Sequence, residues 1–220
     1  PRVSSCIDSL AGKRRDFAYI ESECNFPISA GLASSSSAFS ALVVAVNAAL
    51  ELKNNSNALA CFAGAVSGSA ARSLYGGFVE LKSNLDEINL ITLFDSQEWP
   101  LRIVIAITDT QKKKISSSEA MIRSAGTSPF YSSWVDQQNQ DIEIARKAIL
   151  AKDFEKLAAI SEHNCLKMHS IMWTSRPPIV YWNQATLECI KSIRHLQSLG
   201  ESVFFTIDAG PQVKAICLKE

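Results

Sequence analysis

Residues 25–37 read NFPISAGLASSSS, a glycine- and serine-rich loop that runs directly into an apolar helical pattern. Such a junction directs backbone N–H groups and the positive end of a helix at an anion, and the serine hydroxyls can add contacts to a phosphate or to Mg²⁺. A helix N-cap with additional serines explains the same composition equally well. No G-x-x-x-x-G-K-[ST] pattern occurs in the chain, which disfavours a P-loop NTPase.

A second stretch of small residues, 67–77, reads SGSAARSLYGG. Arg72 carries its only charge, and a buried arginine requires a carboxylate or a phosphate as partner. We favour a ligand as that partner. The alternative is an internal ion pair with an acidic side chain such as Glu80 or Asp208.

Two further stretches carry charged side chains next to predicted strands. Asp208-Ala209-Gly210-Pro211 follows the apolar run 204–207, where an aspartate can act as a desolvated base with a raised pKa, or as an acceptor kept ionised by Arg72. Taken alone, Asp and Gly between two strands are more typical of a turn. Residues 112–118 read KKKISSS; lysines followed by hydroxyls suit a polyphosphate, although a solvated charge run is the commoner explanation.

Composition limits the class of partner. The chain has 220 residues, 22 Lys and Arg against 22 Asp and Glu, and 47% hydrophobic residues, which is typical of a folded protein with a sizeable core and excludes disorder. Balanced charge provides no field to attract nucleic acid or an anionic membrane, so we expect neither partner and a small-molecule substrate instead. The longest uncharged stretch, 26–50, has too few apolar residues to span a bilayer.

Cysteine and histidine usage argues against disulfides and zinc. Six cysteines are scattered without a C-x-x-C pair, which favours reduced thiols and a cytosolic location. Three histidines lack the spacing of metal ligands, which argues against a structural zinc site.

Hydrophobic periodicity predicts an α+β protein with a domain boundary at Trp99-Pro100, giving domains 1–98 and 99–220. We expect the two uncharged helices of the first domain to be buried on most sides and the first strand of the second domain to be buried. The predicted strands are Phe17–Ser22, Phe78–Leu81, Ile88–Phe94, Leu101–Ile107, Ser202–Ile207 and Val213–Leu218, and the predicted helices are Ser34–Leu52, Ala58–Ala71, Ser133–Ala151, Asp153–Asn164 and Gln184–Leu199, the last followed by Gly200 as its C′ residue.

Together, the four stretches resemble, in the same order, the motifs of the diphosphomevalonate decarboxylases of the GHMP kinase superfamily. Residues 25–35 resemble N-F-P-x-x-A-G-L-A-S-S, and residues 67–77 resemble S-G-S-A-C-R-S-L-Y-G-G. Residues 112–121 are similar to K-K-x-x-S-S-T-x-G-M and residues 208–212 to D-A-G-P-N. The stretches at 67–72 and 208–211 are the specific ones, whereas the serine loop alone indicates only the superfamily.

The resemblance implies a two-domain GHMP kinase-like fold, with an N-terminal part like domain 2 of ribosomal protein S5 and a C-terminal part like a ferredoxin-like α/β sandwich. It implies ATP with Mg²⁺ as phosphoryl donor and conversion of (R)-5-diphosphomevalonate to isopentenyl diphosphate, CO₂, ADP and phosphate, a step of isoprenoid biosynthesis. A tertiary hydroxyl leaves poorly, but once phosphorylated it can depart, and loss of CO₂ then quenches the electron deficiency at carbon. The family often forms homodimers.

By motif matching, the resemblance also implies residue roles. Asp208 would orient or deprotonate the tertiary hydroxyl, and Arg72 would hold the substrate carboxylate. We therefore expect these two side chains to act on opposite sides of one substrate. The implied catalytic residues are Asp208 and Arg72; the implied substrate-binding residues are Ser67, Gly68, Ser69, Ala70, Ala71, Arg72, Lys112, Ser117 and Ser118; and the implied ATP-binding residues are Gly31, Leu32, Ala33, Ser34 and Ser35, with Ser34 or Ser35 near Mg²⁺.

The chain departs from the family pattern in places. Ala71, Ser118, Ala120 and Gln212 replace the family's Cys, Thr, Gly and Asn, and Cys24 replaces an Asn. The family begins with a segment like A-P-x-N-I-A-L-x-K-Y-W-G-K, and nothing similar occurs before Phe17. Because the sequence begins with Pro1 and has no signal-peptide pattern, we expect it to start inside a longer natural chain that contains this segment.

Three other functions stay open at this point. A phosphomevalonate decarboxylase would use a monophosphate, and a mevalonate-type GHMP kinase would stop at phosphorylation. A non-catalytic relative would bind ATP without turnover.

Overall fold

The first unit of the chain is built from helices and one hairpin. The computed structural model describes residues 2–83 and 88–219, and contacts divide it into two units: Pro1–Phe26 with Ala33–Glu98, and Pro27–Leu32 with Trp99–Glu220. In the first unit the elements are α1 (Arg2–Ala11), α2 (Ser34–Ala49), α3 (Ser56–Val66), a 3₁₀ helix (Gly68–Leu74), β1 (Phe78–Ser83) and β2 (Ile88–Phe94). Strands β1 and β2 pair antiparallel.

The core of the first unit lies between α1, α2 and α3. Phe39 and Val43 of α2 pack against Leu59 and Ala63 of α3. In each pair the two residues are one helical turn apart and therefore lie on the same face of their helix. Asn55 caps α3 by accepting a hydrogen bond from the backbone N–H of Ala58 at 2.9 Å.

Three expectations for the first unit are wrong. Residues 17–22 form no strand: Phe17 and Tyr19 are fully or almost fully exposed, and a strand requires a neighbour for its backbone groups. Helix α2 buries one stripe rather than most of its surface, and Val44 is 46% exposed. The second helix ends at Val66, because Ser67 has an extended backbone, and the chain continues as a 3₁₀ helix.

The second unit is an antiparallel sheet covered by helices. Its elements are β3 (Leu101–Ala106), α4 (Ser117–Thr127), α5 (Tyr131–Leu150), α6 (Phe154–Trp173), α7 (Gln184–Ser198), β4 (Val203–Thr206) and β5 (Val213–Leu218). The strand order is β3-β5-β4, with Leu101 opposite Leu218 and Val203 opposite Cys217. Asp208 to Pro211 connect β4 to β5, as the sequence predicts.

Helices α6 and α7 pack against this sheet. Cys165, Ile193 and Phe205 form the core with Ile207 and Val213, and burial of a phenylalanine such as Phe205 contributes about 2–3 kcal/mol. Asn183 caps α7 with a capping box, and Gly200 follows the helix with φ +89°, which confirms the predicted C′ glycine.

Two features of the second unit differ from expectation. Strand β3 is an edge strand rather than a buried one: Ile103 and Val104 are 63% and 62% exposed, because α6 and α7 pack on β4 and β5. The serines of residues 112–118 lead into α4, a helix that the sequence does not predict, and Ala120 lies buried within it. Position 120, where the family has a glycine, has helical backbone angles in this chain, so alanine fits there without strain.

Candidate active site

In the first unit, the serine loop and the stretch with Arg72 lie side by side. The hydroxyl of Ser36 contacts that of Ser69, and the hydroxyl of Ser35 lies 3.4 Å from that of Ser67. One turn after Ser36, the Ser40 hydroxyl donates to the Ala70 carbonyl at 2.8 Å. The serine-rich face of α2 thus holds the 3₁₀ helix, so that two of the four motifs meet.

The start of α2 is not capped by a serine. Its N-cap residue is Ala33, with a left-handed φ of 55°, and Ala33 has no side chain that can satisfy the first helical N–H groups. The alternative of a serine N-cap is therefore wrong, and the positive end of this helix is suited to an anion.

Arg72 is exposed on the 3₁₀ helix. Glu80, its proposed partner in an internal ion pair, instead lies 3.5 Å from Lys82. Within the described part of the first unit no carboxylate pairs with Arg72. A bidentate donor of this kind is suited to bind a carboxylate or a phosphate.

In the second unit, Asp208 forms an ion pair with Lys214. The Lys214 ammonium lies 2.6 Å from Oδ2 of Asp208 and donates to the Gly31 carbonyl at 3.3 Å. The Lys214 side chain is 13% exposed, whereas that of Asp208 is 59% exposed. The aspartate is therefore held from one side and open on the other, which a turn alone does not require. Within the second unit, Lys214 is the cation that pairs with Asp208.

Lys113 lies in the same cluster. Its ammonium donates to the Ala209 carbonyl at 2.5 Å and to the Ser117 hydroxyl at 2.7 Å, and it lies 5.3 Å from the centre of the Tyr181 ring. Burial lowers the pKa of Lys113 from its ordinary value; Asp208 opposes this effect and Lys214 adds to it. This lysine thus connects the start of α4 to the loop that carries Asp208.

The neighbouring side chains of the lysine and serine stretch are open. Lys112, Ser117 and Ser118 are exposed. Ser116 is the N-cap of α4, and its hydroxyl accepts from the Glu119 N–H at 3.1 Å. The predicted ligand-binding serines therefore lie in the first turn of a helix, where a negative charge is stabilised.

The start of the serine loop packs directly on the loop after β4. A Cβ atom on Gly31, which has φ +93°, would lie 2.7 Å from the Cα atom of Gly210, and a Cβ atom on Gly210 would lie 2.6 Å from the Cα atom of Gly31. Both positions therefore require glycine. Buried Gln212 adds a third connection, since its side-chain amide donates to the Ala30 carbonyl at 3.0 Å and accepts from the Thr108 N–H at 2.7 Å.

Comparison with known protein families identifies both units. Residues 1–90 match the diphosphomevalonate decarboxylase-like N-terminal domain, and residues 103–220 match the mevalonate 5-diphosphate decarboxylase C-terminal domain. The chain belongs to the diphosphomevalonate decarboxylase family. The predicted family and its mixed helix and sheet fold are thereby confirmed.

Individual relatives agree with this assignment. The diphosphomevalonate decarboxylase of Candida albicans is 35% identical over 96% of this chain and 64% of its own length. The structure of mevalonate pyrophosphate decarboxylase from Streptococcus pyogenes is 30% identical, with a TM-score of 0.84 over 99% of this chain and 68% of that one. A complex of MDDEF with MVAPP, AMPPCP and magnesium is 34% identical, with a TM-score of 0.80 over 88% of this chain and 60% of that one. The chain thus spans less than two thirds of the length of the Candida relative.

Three residues of the clusters described above were not assigned a role from the sequence: Lys113, Lys214 and Gln212. Lys113 is the neighbour of Lys112, which the sequence predicts as a ligand-binding residue. What distinguishes Lys113 from Lys112 is its partly buried ammonium at the Ala209 carbonyl, which only the structure shows. Lys214 lies on β5 opposite Thr206, a pairing that only the folded chain shows, so no signal in the sequence could have found it.

Two kinds of feature are absent from the described residues. None of the helices within residues 2–83 and 88–219 is long and apolar enough to cross a membrane. In the same residues no group of three or more His, Cys, Asp or Glu side chains is arranged to hold a metal ion.

Proposed function

We propose that this chain is part of an ATP-dependent decarboxylase that converts (R)-5-diphosphomevalonate to isopentenyl diphosphate, CO₂, ADP and phosphate. The observation that carries the proposal is the Asp208 carboxylate, held by Lys214 at 2.6 Å and still 59% exposed. The open side of this carboxylate can reach a substrate hydroxyl.

Asp208 is assigned the role of orienting and deprotonating the tertiary hydroxyl of the substrate. The Lys214 ammonium orients the carboxylate through a charge-assisted hydrogen bond to Oδ2. Lys113 fixes the loop through the Ala209 carbonyl, so that the carboxylate keeps its direction.

We assign to Arg72 the role of binding the carboxylate of the same substrate. Its planar guanidinium can bind both carboxylate oxygens and so fix the C–C bond that breaks when CO₂ departs. The stretch of residues 67–71, which α2 holds through hydroxyl contacts, would bind the substrate next to it. Lys112, Ser117 and Ser118 would bind its charged groups.

The residues around the start of α2 fit a nucleotide with its metal ion. Two glycines leave no room for a Cβ where residues 27–32 pack on the loop after β4, and the N-cap Ala33 leaves the helix end without a side-chain cap. Residues 31–35 would hold the ATP phosphates by their N–H groups, with Ser34 or Ser35 toward Mg²⁺. When bound, ATP supplies the phosphoryl group and Mg²⁺ neutralises charge on the phosphates. AMPPCP and magnesium in the related complex support this assignment.

We extend the proposal to location and assembly. The six cysteines form no disulfide, which favours a reducing compartment such as the cytosol. The family resemblance favours a homodimer, and the balanced charge favours neither nucleic acid nor membrane as partner. Sedimentation of the full natural protein measures the oligomeric state, and a monomer at micromolar concentration would contradict the dimer.

The deciding experiment is a coupled assay on the full natural protein with (R)-5-diphosphomevalonate and ATP. We expect equal release of CO₂ and ADP. ADP without CO₂ would identify a kinase, and turnover of only the monophosphate would identify a phosphomevalonate decarboxylase. ATP binding without turnover would identify a non-catalytic relative.

A further inference from the structure

The peptide group of Ile207, which directly precedes Asp208, is held by side chains of α6. The pairing of β4 with β5 ends at Thr206 opposite Lys214. Beyond it, the Ile207 N–H donates to Sγ of Cys165 at 3.2 Å, and its carbonyl lies 3.2 Å from Nε2 of His169. The Cys165 thiol also lies within hydrogen-bond distance of that carbonyl, at 3.5 Å.

Helix α6 holds β4 and the residue after it along one face. Cys165 and His169 are four residues apart, so they lie one above the other on the helix. One turn earlier on the same face, Oε1 of Glu162 accepts from the Phe205 N–H at 3.2 Å. Cys165 is 5% exposed and His169 is fully buried. Each of these side chains therefore acts on the backbone of the segment that leads into Asp208.

We propose that Cys165 and His169 are positioning residues, which fix the peptide group of Ile207 and through it the direction of the Asp208 carboxylate. The proposal rests on the proposed function, since it assumes that Asp208 acts on the substrate. Neither side chain contacts the substrate in this assignment; both act through the backbone. Burial raises the pKa of the Cys165 thiol to about 11, so the thiol stays protonated at neutral pH and keeps its S–H donor.

Nε2 of His169 lies within hydrogen-bond distance of two groups. Its Nε2 lies 3.2 Å from the Ile207 carbonyl, which only accepts, and 3.3 Å from Nε1 of Trp182, which only donates. Burial lowers the pKa of His169 to about 4, so the ring is neutral at pH 7 and Nε2 can play only one role at a time. A proton on Nε2 lets the ring donate to the Ile207 carbonyl, and we assign this tautomer. In this tautomer His169 donates to Ile207.

Packing holds the ring in place for this bond. The His169 ring centre lies 4.8 Å from that of Trp182, which in turn makes an edge-on contact with Trp173 at 5.0 Å. Nδ1 of His169 is buried and has no hydrogen-bond partner among the described residues, which suits a lone pair better than an N–H group. The donor that faces Ile207 is thus fixed in direction as well as in position.

Steady-state kinetics of paired variants of the full natural protein tests the proposal. Cys165→Ala and His169→Leu remove the contacts to Ile207, and we expect kcat to fall about 10- to 100-fold with KM values for ATP and substrate nearly unchanged. Cys165→Ser and His169→Gln keep a donor at each position, and we expect them to recover most of the loss. Unchanged kcat in the first pair, or equal losses in both pairs, would overturn the proposal.

Cys189→Ala is the matched control, because Cys189 packs against the same core but, among the described residues, makes no hydrogen bond to the Ile207 peptide group. It should lower stability without changing kcat. A kcat loss in Cys189→Ala as large as in Cys165→Ala would show that core packing alone explains the effect.

Two measurements do not depend on activity. Amide hydrogen exchange at Ile207 should speed up in Cys165→Ala and stay unchanged in Cys189→Ala, whereas an unchanged rate in both would overturn the role of Cys165. Nitrogen-15 NMR should find the proton of His169 on Nε2; a proton on Nδ1 would overturn the role of His169. Asp208→Asn is measured in parallel, and full turnover of this variant would refute the proposed function instead. In that case the hydrogen exchange at Ile207 and the position of the His169 proton still test the contacts of Cys165 and His169 with Ile207.

Discussion

Asp208 accepts a hydrogen bond from one ammonium group and keeps most of its side chain exposed, an arrangement suited to a base that must be held in place and still reach a substrate. Asp208→Asn keeps the size of the side chain but removes the proton acceptor. We expect kcat to fall about 10²- to 10⁴-fold, with ATP affinity nearly unchanged. Rapid-quench measurement of the phosphoryl-transfer step and calorimetric titration of ATP measure the two quantities. Asp136→Asn, on an exposed position of α5, is the control. Normal turnover of the Asp208 variant would remove the base role.

Arg72 is exposed and without a carboxylate partner in the described part of the first unit, so its substitution tests ligand binding with little effect on the fold. Arg72→Lys keeps the charge but loses the bidentate geometry, and we expect kcat/KM to fall at least about tenfold. Arg14→Lys, exposed in the same unit, should leave kcat/KM unchanged. If Arg72→Lys equals the wild type, the guanidinium does not hold the substrate carboxylate.

A single residue can be selected from the sequence as a candidate for the site where a specific motif surrounds it. Asp208 and Arg72 stand in specific stretches, which is why the sequence nominates them, and their roles stay predictions. Gln212 could be described only as a departure from the family pattern, because its contact with Ala30 joins positions 182 residues apart. Lys214 and Lys113 are likewise defined by what the folded chain brings near them, and an isolated lysine carries no such signal in the sequence.

At the scale of elements, the approach of residues 27–32 to the loop after β4 depends on two glycines. In Gly31→Ala the new Cβ would lie 2.7 Å from the Gly210 Cα atom at φ +93°. We expect the clash and the backbone strain together to lower the free energy of unfolding by about 2–4 kcal/mol and to weaken ATP binding. Urea unfolding and calorimetry measure both.

Gly126→Ala is the matched control for that element. A Cβ on Gly126 meets no heavy atom within 4 Å, and the residue lies inside α4, where alanine favours the helix. It should leave ATP binding unchanged and raise the free energy of unfolding slightly. An equal response of the two variants would mean that Gly31 and Gly210 do not need to approach so closely.

Elements were predictable where periodicity and an end signal agree. Helix α7 has both, with an asparagine cap and Gly200, and its predicted range differs from the observed one by a single residue. The apolar run 17–22 has the composition of a strand. A strand also needs a neighbouring strand for its backbone hydrogen bonds, and the local sequence contains no information on such a neighbour. The same reason explains β3, whose β-branched run was expected to be buried and instead forms an exposed edge.

At the scale of the whole molecule, the division into two units follows the sequence only in part. The hydrophobic pattern restarts at Trp99-Pro100, where the larger segment of the second unit begins. Residues 27–32 belong to this unit as well, because Gly31, Ala30 and Ser29 contact the loops after β4 and β3. Contacts between residues so far apart in the chain produce no pattern in the local sequence.

The pH dependence of stability should reflect the buried imidazole of His169 in the core of the second unit. Burial lowers its pKa from 6.5 to about 4, so between these values the unfolded chain binds a proton that the folded chain excludes. Its contribution is complete above pH 6.5 and is lost as the pH falls toward 4, by about 3 kcal/mol. Urea unfolding at several pH values from about 7 to about 4 measures this loss.

His169→Gln isolates that contribution, because glutamine fills much of the space and does not titrate. The carboxylates of the chain are the same in both proteins, so their part of the acid destabilisation cancels in the difference. We expect the free energy of unfolding of the variant to change less with pH by about 3 kcal/mol over this range. Parallel curves for the two proteins would mean that His169 takes up its proton without unfolding the chain, and that the imidazole is less enclosed than its burial indicates.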